Sequence, residues 1–272
     1  MTSFAHGMTG EVYDTYLSVR FELQKHLRRK RLLIVAALAI LMPLVFNIVP
    51  TTRDTDLAAS ADAFAAAVVG FVSVLIVISG ALFAGDAVSA EFEKKTGLLL
   101  FPTTQGRASI FVGKHIAALL ATFFVVSLYY GVTTLEMAVI YGVSEIPTEL
   151  ASSYSLALLY STSAVSIVFF FSSILKRTIS STVLGFVFLM MVLPIIQAIL
   201  QLTNVDPWFV VTYSAGLLTE VLGVAARFSG PGGHFPSTTF TPDLHVGIAV
   251  MAAYTIIFFV TSIVAANRKS LE

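Results

Sequence analysis

The chain has 272 residues with a mean hydropathy of +0.88, 57% hydrophobic and only 12% charged residues, whereas soluble chains carry about 25% charged residues. Such a composition belongs to an integral membrane protein with several spans of about 20 residues each, and it leaves no room for a large soluble catalytic domain. Basic and acidic residues balance at 16 each, which argues against nucleic-acid binding, and the lack of cysteine removes disulfides and thiolate metal sites.

Met1 to Gly10 is polar, reads as a disordered start, and lacks the apolar core of a secretory signal. From Glu11 to Arg31, Val12, Tyr16, Val19, Leu23 and Leu27 share one helical stripe, with Asp14, Gln24, Lys25, Arg28 and Arg29 away from it. This predicts an amphipathic helix on the membrane surface. Its basic end, Lys25 to Arg31, suits anionic headgroups and starts the next span in the cytoplasm. The first span is predicted over Leu32 to Val49, kinked at Pro43. The long hydrophilic lead disfavours a cleaved signal anchor. Thr51 to Asp62 is a short, mostly acidic outer loop, and Phe64 to Ala84 is the second span.

The next stretch carries Asp86, Glu91, Glu93, Lys94 and Lys95, a cluster too dense for hydrocarbon. Val88 and Phe92 share a helical face, and Glu91 precedes Lys95 by four residues, the spacing of a surface pair. A short charged helix is expected, weakened at Thr96-Gly97, with Pro102 ending the leucine run beyond it and a loop over Thr103 to Gly106. The third span covers 109–135 and runs on toward Tyr141, with Lys114 snorkelling to the inner headgroups. Glu136 then falls near the outer interface, as a headgroup-level carboxylate or as a lining of a substrate path.

Glu145, Pro147 and Glu149 make an outer loop, Leu156 to Leu175 the fourth span, Lys176-Arg177 a tight cytoplasmic turn, and Ile179 to Leu200 the fifth span, with Pro194 inside it. The outer segment, 203–245, is the longest link. A crossing over Trp208 to Ala226 would put Arg268-Lys269 outside, so that stretch is read as a half-buried helix or re-entrant hairpin on the outer side. Val246 to Ala266 is the sixth span, ahead of a cytoplasmic tail. This all-helical, six-span arrangement puts fourteen basic residues inside and two, Arg53 and Arg227, outside, which fixes both termini in the cytoplasm.

The segment 86–107, together with the start of the third span, resembles the first cytoplasmic segment of type-2 ABC exporter permeases. The matching features are Glu91 or Glu93 on a short helix, Thr96-Gly97, Leu98 to Leu100, Pro102 to Thr104, Arg107 and Gly113-Lys114. Here Thr precedes Gly, and the Pro lies further from the Arg than in the usual family pattern. The resemblance implies a coupling helix whose Glu91, Phe92 and Lys95 dock on a separate ATP-binding subunit. It also implies a second contact at Lys176 and Arg177, flanked by Ser172-Ser173 and Ser180-Ser181. On this reading the chain is a plasma-membrane export permease, pairs with a second copy, recruits two ABC ATP-binding subunits, and holds no cofactor, ATP and magnesium being in the partner.

No catalytic motif appears in the sequence. Gly106 to His115 has six residues between its glycines and His after the lysine, unlike a phosphate-binding loop, so ATP is not expected to bind this chain alone. Gly85-Asp86 would be half of an aspartyl protease site, with no second Asp in a span, and no span is expected to hold the central His that an intramembrane serine protease needs. His234, Asp243 and His245 read as scattered surface groups rather than a metal site. Two other readings stand beside the exporter: a membrane scaffold or assembly-complex subunit, and an ion-coupled secondary carrier, which the lack of an internal repeat weakens.

Overall fold

A computed structural model describes residues 2–52, 60–95, 106–223 and 240–268, with side chains omitted for 2–10 and 49–52. Among the described residues the structure is helical, without strands, and six helical stretches are long and apolar enough to cross a membrane: Arg31–Ile48, Ala61–Glu93, Arg107–Ile140, Glu149–Ile174, Thr178–Leu202 and Leu244–Arg268. Each contains most of a span expected from sequence. The apolar runs needed to bridge hydrocarbon are visible without knowledge of packing.

The first helix, α1 (Thr2–Arg28), begins at once, so the disordered start expected for Met1 to Gly10 gives way to helix from Thr2 onward. Lys30, in the left-handed region at φ 56°, turns the chain directly into α2 (Arg31–Thr52), which continues through Pro43. The second crossing is built from α3 (Ala61–Val69), capped by the Ser60 hydroxyl accepting from Ala63 N–H at 3.3 Å, and α4 (Val72–Ala84). After it come α5 (Ser89–Glu93) and the long α6 (Arg107–Ile140). Next is α7 (Glu149–Ile174), and then α8 (Thr178–Val187) leads through a π-helical turn at Phe188–Val192 into α9 (Leu193–Leu202). The turn sits just before Pro194, which lacks an N–H and crowds the preceding turn; the wider winding absorbs that defect without breaking the span. Two single-turn helices, α10 (Val211–Ser214) and α11 (Leu217–Glu220), precede α12 (Leu244–Arg268).

The core is formed by α3–α4, α6 and α7, while α2, α8–α9 and α12 turn most of their surface outward. Apolar burial gains little when lipid replaces water as the surroundings, so close packing and interhelical hydrogen bonds must hold such a bundle. They are present: Tyr129 O–H donates to the Val68 carbonyl at 2.6 Å, Thr162 and Thr255 hydroxyls meet at 2.9 Å, and Tyr130 and Ser153 hydroxyls at 2.8 Å. Ser153 also donates to the Leu218 carbonyl at 2.6 Å, fastening α11 onto α7. Over its described part, 208–223, the stretch from Trp208 holds no helix long enough for a seventh span. Its helices have four residues each, and Val210, Val211, Leu217 and Leu218 are buried against the bundle.

Candidate functional site, a charged knot at one end of the bundle

Six crossings in sequence bring the α1–α2 turn, the α4–α5 junction, the start of α6 and the α7–α8 turn to the same end of the bundle. Charged groups meet there in two buried clusters. In the first, Asp86, 3% exposed, takes Arg31 Nη1 at 2.7 Å and Arg29 Nη1 at 3.2 Å on the same oxygen, and Arg31 also donates to the Leu82 carbonyl at 3.1 Å. A carboxylate at that depth is tolerated because it is paired. Asp86, expected only as one member of a charged cluster outside hydrocarbon, latches α1 and α2 to the second crossing.

In the second cluster Lys114, 3% exposed, pairs with Glu22 of α1 and with Glu91 of α5 at 2.9 Å, and Glu22 also takes Lys25 at 2.8 Å. The expectation that Lys114 snorkels to headgroups is overturned. A lysine held between two carboxylates inside the protein has no need to reach the bilayer surface. Glu91 is likewise committed inward rather than to the expected surface pair with Lys95, and Lys95 itself sits at φ 54°, beyond the end of α5.

Gly113 explains why Lys114 can reach Glu22. A Cβ at Gly113 would lie 2.5 Å from Ser18 Cβ and 3.0 Å from the Thr15 carbonyl, so only glycine lets α1 lie this close to α6. The face of α1 turned inward is the ladder Ser18, Glu22 and His26, whereas Val12, Tyr16 and Leu27 of the apolar stripe remain exposed. Polar groups thus dock α1 on the protein, while of the apolar stripe only Leu23 packs on the core.

His26, 3% exposed, lies edge-on to Phe83 with ring centroids 5.1 Å apart. Burial pushes its imidazole down from 6.5 to about 4; Glu22 and Asp86 pull it up, and Lys25 and Arg31 push it further down. An undocked ring therefore binds protons more readily than the docked one. Docking of α1 is at full strength above pH 6.5 and weakens as pH falls from 6.5 toward 4, losing up to about 2 kcal/mol near pH 5. For Glu22, burial raises the carboxyl, but Lys114 and Lys25 outweigh it and hold the group at about 2 instead of 4.5. Its contribution is present above 4.5 and lost only toward 2, a window below that of His26. Protection of α1 from protease should fall between about pH 7 and 5, and His26→Phe, which keeps the ring on Phe83, should abolish that fall. An unchanged profile in His26→Phe would contradict the assignment.

The α4–α5 junction is clamped from α7 and α8. Ser172 Oγ accepts from the N–H groups of Val88 at 3.0 Å and Ser89 at 3.1 Å; Ser181 Oγ lies 2.8 Å from Ser89 Oγ and donates to the Gly85 carbonyl at 2.6 Å. A Cβ on Gly85 would lie 2.6 Å from Thr182 Oγ1, so glycine is needed there too. Glu93 then accepts from Thr178 N–H at 2.7 Å, capping the start of α8. Through that bond, α5 and the turn with Lys176 and Arg177 become neighbours, and Lys94, Lys95, Lys176 and Arg177 are all exposed. Phe92 is half-buried and packs on the core. Thr96-Gly97, Leu98 to Leu100 and Pro102 to Thr104 lie outside the described residues.

Other sequence candidates lie elsewhere. Glu136, 7% exposed, is buried on α6 near the opposite end, and both its carboxylate oxygens lack a hydrogen-bond partner among the described residues. Asp243 caps α12, accepting from His245 N–H at 2.9 Å and Val246 N–H at 3.1 Å; His234 lies outside the described residues, among which no group of three metal-ligating side chains occurs. Near the start of α6 rather than at the centre of a span, a buried His does meet a buried Ser: His115 Nε2 is 3.0 Å from Ser166 Oγ. Ser166 spends its proton on the Thr162 carbonyl at 2.7 Å, so the imidazole N–H donates to the hydroxyl, and Phe169 and Phe259 flank the ring. That geometry ties α6 to α7 and leaves the serine unactivated, since activation requires the His nitrogen to accept.

A family described as "Protein of unknown function (DUF2705)" matches residues 30–271. The chain belongs to that family. No curated protein matches it. The DUF2705 match begins at the α1–α2 turn, so it takes in Arg31, Asp86, Glu91 and Lys114 of the knot, while Glu22, Lys25, His26 and Arg29 precede it.

Proposed function

We propose that this chain is the permease subunit of an ATP-driven type-2 ABC exporter, forming the substrate path as a dimer in the cell membrane and recruiting separate ATP-binding subunits at its charged end, which faces the cytoplasm. The observation that carries the reading is the junction of α5 with the α7–α8 turn, where a Glu93 cap brings exposed Lys94 and Lys95 beside Lys176 and Arg177. A segment that is to pass work from a partner must be stiffly joined to the spans, and Asp86, Glu91, Ser172 and Ser181 supply that stiffness here. Coupling requires a partner whose two states contact this end differently. In this reading Glu91 and Phe92 brace the segment from within, and the cationic rim meets the partner. Glu136, buried and unpaired among the described residues, is the group we place on the substrate path.

Purification of the chain from its native membranes, with copurifying ABC ATP-binding subunits identified by mass spectrometry, tests this. The wild-type chain should copurify the partner, and reversing Lys94, Lys95, Lys176 and Arg177 to Glu together should cut recovery about tenfold or more while the protein still inserts. Equal recovery from the reversed variant would remove the rim from the interface, and no recovery from wild type would favour the scaffold reading.

A further inference from the structure

A cavity of about 300 Å³ opens at the end of the bundle opposite the knot, between the link after α9, α10, and the lead into α12. Among the described residues Asp206, Trp208, Tyr213, Ser214 and Asp243 line it, with no basic side chain beside them. Two of these residues are more than nine-tenths buried, Tyr213 at 6% and Ser214 at 1% exposed, and neither hydroxyl has a hydrogen-bond partner among the described residues. Asp206 is near enough to act on the Tyr213 hydroxyl electrostatically, yet no hydrogen bond of ordinary geometry closes between them. Buried hydroxyls are normally paired, so two orphans facing one cavity mark a place for something that can donate to them.

The chemistry of that occupant is set by the walls. Among the described residues two carboxylates stand there with no cation between them, which disfavours an anion, and a Trp face attracts organic cations. A small metal ion would gain nothing from the indole, and Asp243 already spends one oxygen on the N–H groups of His245 and Val246. The volume is at the small end of ligand pockets and suits a headgroup rather than a drug-sized molecule. We propose that this cleft binds an organic ammonium group, its charge between Asp206 and Asp243, its alkyl surface on Trp208 and its N–H donors on the Tyr213 and Ser214 hydroxyls. The ammonium is carried either by a lipid headgroup or by a free amine. The proposal stands apart from the exporter reading, and its test needs no partner subunit.

Trp208 is the single tryptophan of the chain, so its fluorescence reports on this cleft alone. The full-length protein in phosphatidylglycerol nanodiscs would be titrated with ethylamine hydrochloride, with sodium chloride at matched ionic strength as control. A saturable change in emission is expected. Asp206→Asn, at an exposed position where folding is little at risk, should weaken it about fivefold or more; Ser214→Ala should weaken it less. Adding phosphatidylethanolamine to the discs separates the sources: a shift of the titration to higher amine assigns the cleft to the lipid headgroup, and no shift assigns it to the free amine. Emission that changes no more than with sodium chloride, or an Asp206→Asn titration identical to wild type, would overturn the proposal.

Discussion

Lys114→Gln should destabilise the protein by about 1–3 kcal/mol, because Glu22, left with Lys25, and the part-buried Glu91 both lose the cation they share. Sequence alone makes the same substitution mild, since a snorkelling lysine loses only a headgroup contact. The two accounts differ enough for a melting curve of the purified protein to separate them. If Glu22 and Glu91 are also changed to Gln, the cost should largely vanish, because no carboxylate then faces the missing cation. A Lys114→Gln protein that melts with wild type would show that the carboxylates find water or another cation.

Gly113→Val should detach α1 from the bundle, at a cost of about 1–3 kcal/mol for overpacking alone. The new Cβ would fall 2.5 Å from Ser18 Cβ, the root of a side chain on an adjacent helix, which no rotamer change can move away. Protease should then cleave α1 readily in intact membranes while the six crossings stay protected. Adding Ser18→Gly to the milder Gly113→Ala should recover part of the protection, though not all, since the Thr15 carbonyl remains 3.0 Å from the same position. Full protection of α1 in Gly113→Val would mean that the helix docks in another way.

The crossings were legible because hydrocarbon thickness demands long apolar runs, a local property that periodicity and composition record. The basic turn at Lys176-Arg177 and the charged segment after Ala84 were legible for the same reason, as interruptions of those runs. The pairings were not. Glu22 finds Lys114 across 92 positions of chain, and Asp86 finds Arg29 and Arg31 across 57 and 55, distances over which no local spacing specifies a partner. The i,i+4 ladder Ser18, Glu22, His26 was present on α1 as a signal, but a helix read by its apolar stripe is assigned its packing face from the wrong side when most of that stripe stays exposed. Gly113 beside Lys114 was the matching signal on α6. His115 and Ser166 went unnoticed for the same reason as the ion pairs, since their helices are joined only by tertiary packing.

The central claim, that the charged end receives an ATP-binding subunit, is tested most directly by a single-particle reconstruction of the complex purified from native membranes. The account predicts two ATP-binding subunits beneath a permease dimer, touching Lys94 and Lys95 together with Lys176 and Arg177, with the Lys114 ion pairs intact behind them. A reconstruction in which that end stays bare, or in which the partner sits against the α10–α12 end instead, would contradict it.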